Sequence, residues 1–480
     1  MGKLSNLDKT QVFNFFEKIC AIPHGSGNMD AISDFLVDFA KERNLKYVQD
    51  EAKNVIIYKD GARGYENSEP IILQGHIDMV CQKTADSNID FLKDGIDIYI
   101  DDDFIKARNT TLGADDGIGA ALILSILDDN ALLHPPIEAV FTTDEEIGML
   151  GAAKLDMSKL SAKRMINLDC GGNGTAVVSC AGGVDVKISS DMCKKISCGN
   201  KVTVSIDGLL GGHSGGAIDK GRVNANVLMG RILSYAKKID DFDILSLRGG
   251  NKGNVIPSRC NAELVINDAE KFVTKLEEYS ELIKEEVSDR EPDLKITVKS
   301  EEKGNFNVIS KENRDLFIYL LVTLPNGVVE MSQKFQNLVE TSLNLGILDV
   351  TCEKSLIMFT IRSNKQSALD YMQEKMFFIA EHNGCSVEAS GHYPPWEYKD
   401  DTEMQNTYLK LYEKMFDSTP SILAVHAGLE CGIFSSKIKG LDCIALGTDM
   451  ADVHTVNEKL SISGTKTFYE FLTYFLSESK

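Results

Sequence analysis

Tryptophan occurs once in the 480 residues, at Trp396, and proline ten times, so no segment has the composition of a collagen or a proline-rich spacer. Positive charge is scarce as well. Lys and Arg number 51 against 72 Asp and Glu, a formal net charge of −21. Such a surface repels phosphate backbones and anionic lipid, so neither nucleic acid nor membrane is expected as a partner. No apolar run reaches the ~18 residues of a membrane-spanning helix. The stretch MGKLSNLDKTQVFNFFEKIC lacks the apolar core and cleavage site of a signal peptide. Gly2 is followed by Asn6 where myristoylation wants Ser or Thr. The eleven cysteines include no CxxC pair and read as thiols in a reducing compartment. The expected location is the cytoplasm.

What is present is the balance of a folded chain, 43% hydrophobic and 26% charged, and too long for one ordinary core. In the first ~180 residues, short apolar runs at 55–58, 71–73, 137–141 and 165–168 alternate with helical patterns. Ile32, Phe35, Leu36, Phe39 and Ala40 share one helical face, and 118–127 is an apolar helix. Strands alternating with helices predict an α/β domain built on a mostly parallel mixed sheet. From about 184 to 393 the strands alternate polar and apolar residues, at 201–206, 261–266, 294–298 and 356–361. Amphipathic helices at 224–239 and 268–287 interleave with them, which predicts an antiparallel α+β domain. The segment SGHYPPWEY (390–398) reads as a linker, after which α/β texture returns at 421–424, 443–446 and 464–476. The expected organisation is a catalytic domain, 1–187 plus 398–480, interrupted by an inserted domain, 188–397.

Acids and histidines gather where apolar runs end. Gly75-His76-Ile77-Asp78 follows the first, Thr143-Asp144-Glu145-Glu146 another, and Asn167-Leu168-Asp169 a third. Gly113-Ala114-Asp115-Asp116-Gly117 opens a helix, and Gly447-Thr448-Asp449-Met450-Ala451-Asp452-Val453-His454 follows the strand at 443–446. Taken singly, each is ordinary: a hydrogen-bonded histidine, a helix cap, a solvated acid pair. Five such clusters at strand ends of one sheet would converge on one rim, where α/β sheets bind ligands. Imidazole and carboxylate at that density suit zinc, manganese or cobalt.

The order of these motifs, with Gly211-Gly212-His213-Ser214-Gly215-Gly216 after them and a C-terminal histidine, resembles the M20 metallopeptidases. Within them it resembles the aminoacyl-histidine (Xaa-His) dipeptidases, through Thr110-Thr111-Leu112-Gly113, Cys180-Ala181-Gly182-Gly183, Pro325-Asn326-Gly327-Val328, Glu340-Thr341-Ser342-Leu343-Asn344 and His426-Ala427-Gly428-Leu429-Glu430. The resemblance implies a zinc-peptidase-like catalytic domain with an inserted α+β lid, two divalent metal ions (zinc, with manganese or cobalt as alternatives), and small peptide substrates. It implies that His76 and Asp169 hold one metal, Glu146 and His454 the other, and Asp115 bridges them across a cis Asp115–Asp116 bond. Asp78 would orient His76, and Glu145 would be general base toward the water shared by the metals. His213 would donate to the oxyanion, Asn254 and Arg362 would grip the substrate carboxylate, and Gly428 and Glu430 would line the site. The likeness also allows a homodimer through the inserted domain. Asp449 and Asp452, beside His454, and the role of His426 stay open.

Overall fold

The computed structural model describes residues 2–4, 6, 7 and 9–480 and divides the chain into two compact units. The first comprises Met1–Cys180, Tyr398–Val425 and Leu429–Lys480; the second, Ala181–Glu397 and His426–Gly428. The first boundary falls at 180 rather than 187, because the strand Gly182–Ser189 pairs with Ser355–Ser363 and Ser386–Tyr393 in the sheet of the second unit. The expected linker is also shorter. Residues 390–393 end the strand Ser386–Tyr393, so the expected linker keeps only the residues after it.

The first unit is built on an eight-stranded sheet in the order Lys46–Gln49, Val55–Lys59, Ile137–Thr142, Ile71–His76, Arg164–Asn167, Asp442–Ala445, Thr175–Cys180, Ser421–Val425. The four central strands run parallel; an antiparallel pair flanks them on one side, and on the other a mutually parallel pair, Thr175–Cys180 and Ser421–Val425, runs antiparallel to them. The parallel strands are apolar along their whole length because both faces are covered, as Ile71–His76 and Ile137–Thr142, buried at every position, illustrate. The helix Ala114–Asp128 packs on this sheet and is buried on all sides, which its nearly unbroken apolar sequence from Ile118 to Leu127 requires. A small sheet of Ile98–Asp101, Phe104–Ala107, Lys459–Ser461 and Met450–Ala451 ties the C-terminal segment to the N-terminal one.

The second unit holds a nine-stranded sheet in which every pairing is antiparallel. Its helices include Ala225–Ile239, Ala269–Val287, Lys311–Thr323 and Gln366–His382, and its core gathers Val204, Leu233, Phe272, Phe317, Phe359 and Met376. The predicted strand 294–298 is the start of a fifteen-residue strand, Lys295–Ile309, whose middle, 299–303, is exposed on both faces. It reaches that length because it pairs with Lys194–Asp207, a partner of similar extent. Among the described residues no disulfide forms, and no helix is long and apolar enough to cross a membrane.

Candidate metal centre

The carboxyl ends of three of the parallel strands deliver His76, the Glu145–Glu146 pair and Asp169. His76 ends its strand opposite Thr142, from which the chain turns through Glu145 and Glu146. Asp169 follows Arg164–Asn167, and His454 sits in the hairpin between Met450–Ala451 and Lys459–Ser461. Asp115 comes from the first turn of the buried helix, across a cis Asp115–Asp116 peptide bond.

The two oxygens of Asp115 face different imidazoles. Oδ1 lies 3.1 Å from Nε2 of His76, and Oδ2 lies 3.1 Å from Nε2 of His454. Asp169 Oδ1 stands 3.9 Å from His76 Nε2, and Glu146 Oε1 stands 2.8 Å from His454 Nε2. His76, Asp115 and Glu146 turn ligand atoms to within 4.8 Å of one another. His76 is buried, whereas the His454 side chain is 47% exposed, so the site opens on the His454 side.

Electrostatics mark the cluster. Burial pushes the Asp115 carboxyl up, but the His454 and His76 imidazoles win and hold it below the usual carboxylate range. The Asp115 and Glu146 carboxylates push His454 up to about 10. Burial lifts Asp169 well above its usual range, and the Asp115 carboxylate adds to that. Burial lifts Glu145 too, against the pull of His76, with Glu430, Glu146 and Asp115 adding. Carboxylates crowded this closely around two imidazole nitrogens form a donor set that divalent cations satisfy.

Asp78 makes more contacts than the one expected of it. His76 Nδ1 lies 3.0 Å from the Asp78 backbone carbonyl and 3.5 Å from its carboxylate. The carboxylate instead accepts hydrogen bonds from the backbone N–H of Glu145 (2.9 Å) and Glu146 (3.2 Å), and from Ser26 Oγ (2.8 Å). It therefore fixes the turn that separates the two glutamates, besides standing behind His76. Asp449 is committed elsewhere: its oxygens accept from Asn173 N and Nδ2 at 2.8 and 2.7 Å. Asp452 lies 4.0 Å from Lys459 Nζ. Glu430 is fully buried and accepts from Gln74 Nε2 (2.5 Å) and Thr142 Oγ1 (2.6 Å), and burial pushes its carboxyl up to about 7.

The remaining expected residues gather within the second unit. Gly212–His213 pairs with Val255–Ile256, and Ser214 N donates to Asn254 O at 2.9 Å. Arg362 Nη1 donates to Tyr393 Oη (2.6 Å) and Nε to Ser214 Oγ (3.4 Å). His213 Nδ1 accepts from Gly215 N and Gly216 N at 3.2 Å, which places the proton of a neutral ring on Nε2. Gly428 belongs to a three-residue segment pinned by His426, whose Nε2 lies 2.7 Å from Ser342 Oγ and whose Nδ1 lies 3.3 Å from Asn364 Oδ1. Sequence reasoning missed Ser342 and Asn364 as partners of His426, and it missed Glu458, which accepts from the backbone under Asp115. No local pattern announces contacts between residues so far apart in the chain.

A carboxylate set between two imidazoles, beside further acids at the ends of parallel strands, is the arrangement of a metallohydrolase. Residues 72–478 match peptidase family M20/M25/M40. The chain is 35% identical over 482 aligned residues to the cytosol non-specific dipeptidase of Escherichia coli, covering 100% of this chain and 99% of that one. The aminoacylhistidine dipeptidase of Vibrio alginolyticus superposes with a TM-score of 0.87 at 34% identity, covering 99% of this chain and 98% of that one. The aminopeptidase PepT of Bacillus cereus shares the fold, with a TM-score of 0.57 at 17% identity over 98% and 99% of the two chains. The chain belongs to peptidase family M20/M25/M40 and is a hydrolase of peptide bonds.

Proposed function

We propose that this chain is a cytoplasmic dipeptidase that works with two divalent metal ions, zinc first among them, and prefers Xaa-His and related dipeptides. The observation that carries the reading is the placement of Asp115, one oxygen toward His76 and the other toward His454. His76 and Asp169 would hold one ion, Glu146 and His454 the second, and Asp115 both. Ions bound there supply an acidified water and a polarised scissile carbonyl. Glu145 would act as general base, taking a proton from the attacking water and passing it to the leaving amine; burial raises its carboxyl above the usual carboxylate range. Asp78 keeps Glu145 and Glu146 apart in role by holding both their amides. His213, with its Nε2 proton, donates to the oxyanion. Arg362 and Asn254 bind the free carboxylate of the substrate, and Gly428 lines the site with them. The names of the Escherichia coli and Vibrio relatives support a dipeptide substrate, and the E. coli name supports a cytosolic location.

The test is metal analysis of the purified protein joined to a panel of Xaa-His dipeptides, other dipeptides, tripeptides and N-acyl amino acids. Two bound equivalents and turnover confined to dipeptides are expected. Faster turnover of tripeptides or N-acyl amino acids would assign the chain to another activity of the family. An Arg362→Ala variant sharpens the assay. It should lose kcat/KM on a dipeptide by an amount on the order of 2–5 kcal/mol and lose little on the dipeptide amide. Equal losses on both would remove Arg362 from the carboxylate site.

A further inference from the structure

We propose that Glu458 is a positioning residue that sets the relation between the two metal positions, by fastening the backbone beneath Asp115 to the hairpin that carries His454. The inference rests on the two-metal reading above.

A helix begins with amide groups that have no partner within the helix, and a local Ser, Thr, Asp or Asn side chain usually accepts from them. The helix that presents Asp115 has no such cap. Its N-cap is Gly113, at φ 73°, which makes no side-chain hydrogen bond. The acceptor comes instead from the far end of the chain. Glu458 Oε2 accepts from Leu112 N (2.7 Å) and Gly113 N (3.1 Å), and Oε1 from Ala114 N (2.8 Å) and Asp115 N (3.4 Å). Four successive amides thus converge on one carboxylate, which is 3% exposed. The left-handed turn at Gly113 is what points these amides the same way.

The other end of Glu458 is what makes this more than a cap. Glu458 lies four residues after His454, in the hairpin between Met450–Ala451 and Lys459–Ser461, and its own N–H donates to Thr455 O at 3.2 Å. One short side chain therefore joins the turn bearing the bridging carboxylate to the loop bearing the more exposed imidazole. His454 Nε2 stands 3.1 Å from Asp115 Oδ2 across that same junction. Glu458 touches no expected ligand atom and acts through the backbone of both ligands.

The experiment compares the parent protein with Glu458→Gln and Glu458→Asp, each stripped of metal and titrated with Co2+ by calorimetry, with the visible spectrum recorded per equivalent. Melting of the metal-free proteins is measured alongside. In Glu458→Gln an NH2 group replaces one acceptor facing the amides. The second equivalent should bind about 10- to 100-fold more weakly, the range for partners that orient ligands. The first equivalent should keep its affinity and spectrum, and kcat should fall with KM little changed. Glu458→Asp keeps the charge at shorter reach and should recover part of the second affinity. Two outcomes overturn the proposal: both equivalents binding E458Q as they bind the parent, or both weakening together in step with a lower melting temperature, the behaviour of a helix cap alone. A parent protein that binds a single Co2+ overturns the two-metal reading itself, and it does so on the unmodified chain.

Discussion

Glu145 and Glu146 are adjacent and chemically identical, yet their surroundings differ. Asp78 accepts from both amides and so fixes the turn. Glu146 then reaches His454 at 2.8 Å, while Glu145 stays half-buried among Glu430 and Asp115. Glu145→Gln should keep both metal equivalents and lose about 10²–10⁴ in kcat, the usual worth of a general base. Glu146→Gln should weaken one of the two metal sites outright. Elemental analysis beside kcat decides it, and equal metal loss in the two variants would refute the division of roles. His426 carries a different residue-scale prediction. Burial, then the Arg362 guanidinium, pushes its imidazole down to about 3, whereas an unfolded histidine titrates near 6.5. Below pH ~6.5 the unfolded chain takes up a proton that the folded chain refuses, so stability falls as the pH drops toward 3. The slope contributed is at most about 1.4 kcal/mol per pH unit. Urea unfolding of His426→Gln between pH 6 and 4 should show a shallower dependence than the parent; an unchanged slope would mean that His426 is not the titrating group.

At the scale of elements, the helix Ala114–Asp128 and the strand Ile71–His76 meet through two glycines. Asp116 Oδ2 accepts from His76 N and Oδ1 from Gly119 N, both at 3.2 Å. A Cβ on Gly75 would overlap Oδ2, and one on Gly119 would overlap Oδ1. Gly75→Ala should therefore displace Asp116 and cost about 1–3 kcal/mol, as overpacking does. Metal affinity should fall with it, because Asp115 is the preceding residue. A Gly75→Ala protein with parental urea midpoint and parental metal binding would show that the contact can relax. The sequence made the strand at 71–73 and the helix at 118–127 legible, since both are dense apolar runs. It did not show that Asp116, read there as part of the segment that opens the helix, would be the buried link between them. In the second unit, Glu291 likewise accepts from Leu210 N and Val223 N, both at 2.8 Å, and so closes the loop that bears His213. That role too follows from distant contacts rather than from any local pattern.

Over the whole molecule, 72 acidic side chains against 51 basic ones leave a net charge of −21 that the fold must contain. Exposed like charges repel over the Debye length, roughly 30 Å at 0.01 M salt and 8 Å at 0.15 M. Raising sodium chloride across that range should lift the melting temperature by roughly 2–4 °C, what about 1 kcal/mol produces in a unit of 150–250 residues. A melting temperature that stays flat or falls in calorimetric scans would mean that the surface ion pairs already offset the repulsion.

Composition, periodicity and the order of motifs determined the alternation of α/β and α+β texture and the kinds of side chain at the strand ends. These are local properties: an apolar run, an acid after a strand, a histidine in a glycine turn. The tertiary structure alone decided which atoms meet. It turned the two oxygens of Asp115 toward different imidazoles, set the Asp78 carboxylate against the Glu145 and Glu146 amides, and moved the first unit boundary to 180 by pairing Gly182–Ser189 into the antiparallel sheet. It also brought Glu458 to amides 343–346 residues earlier in the chain. A buried carboxylate must find donors wherever the packed chain offers them, and the identity of those donors is fixed by packing rather than by neighbours in sequence.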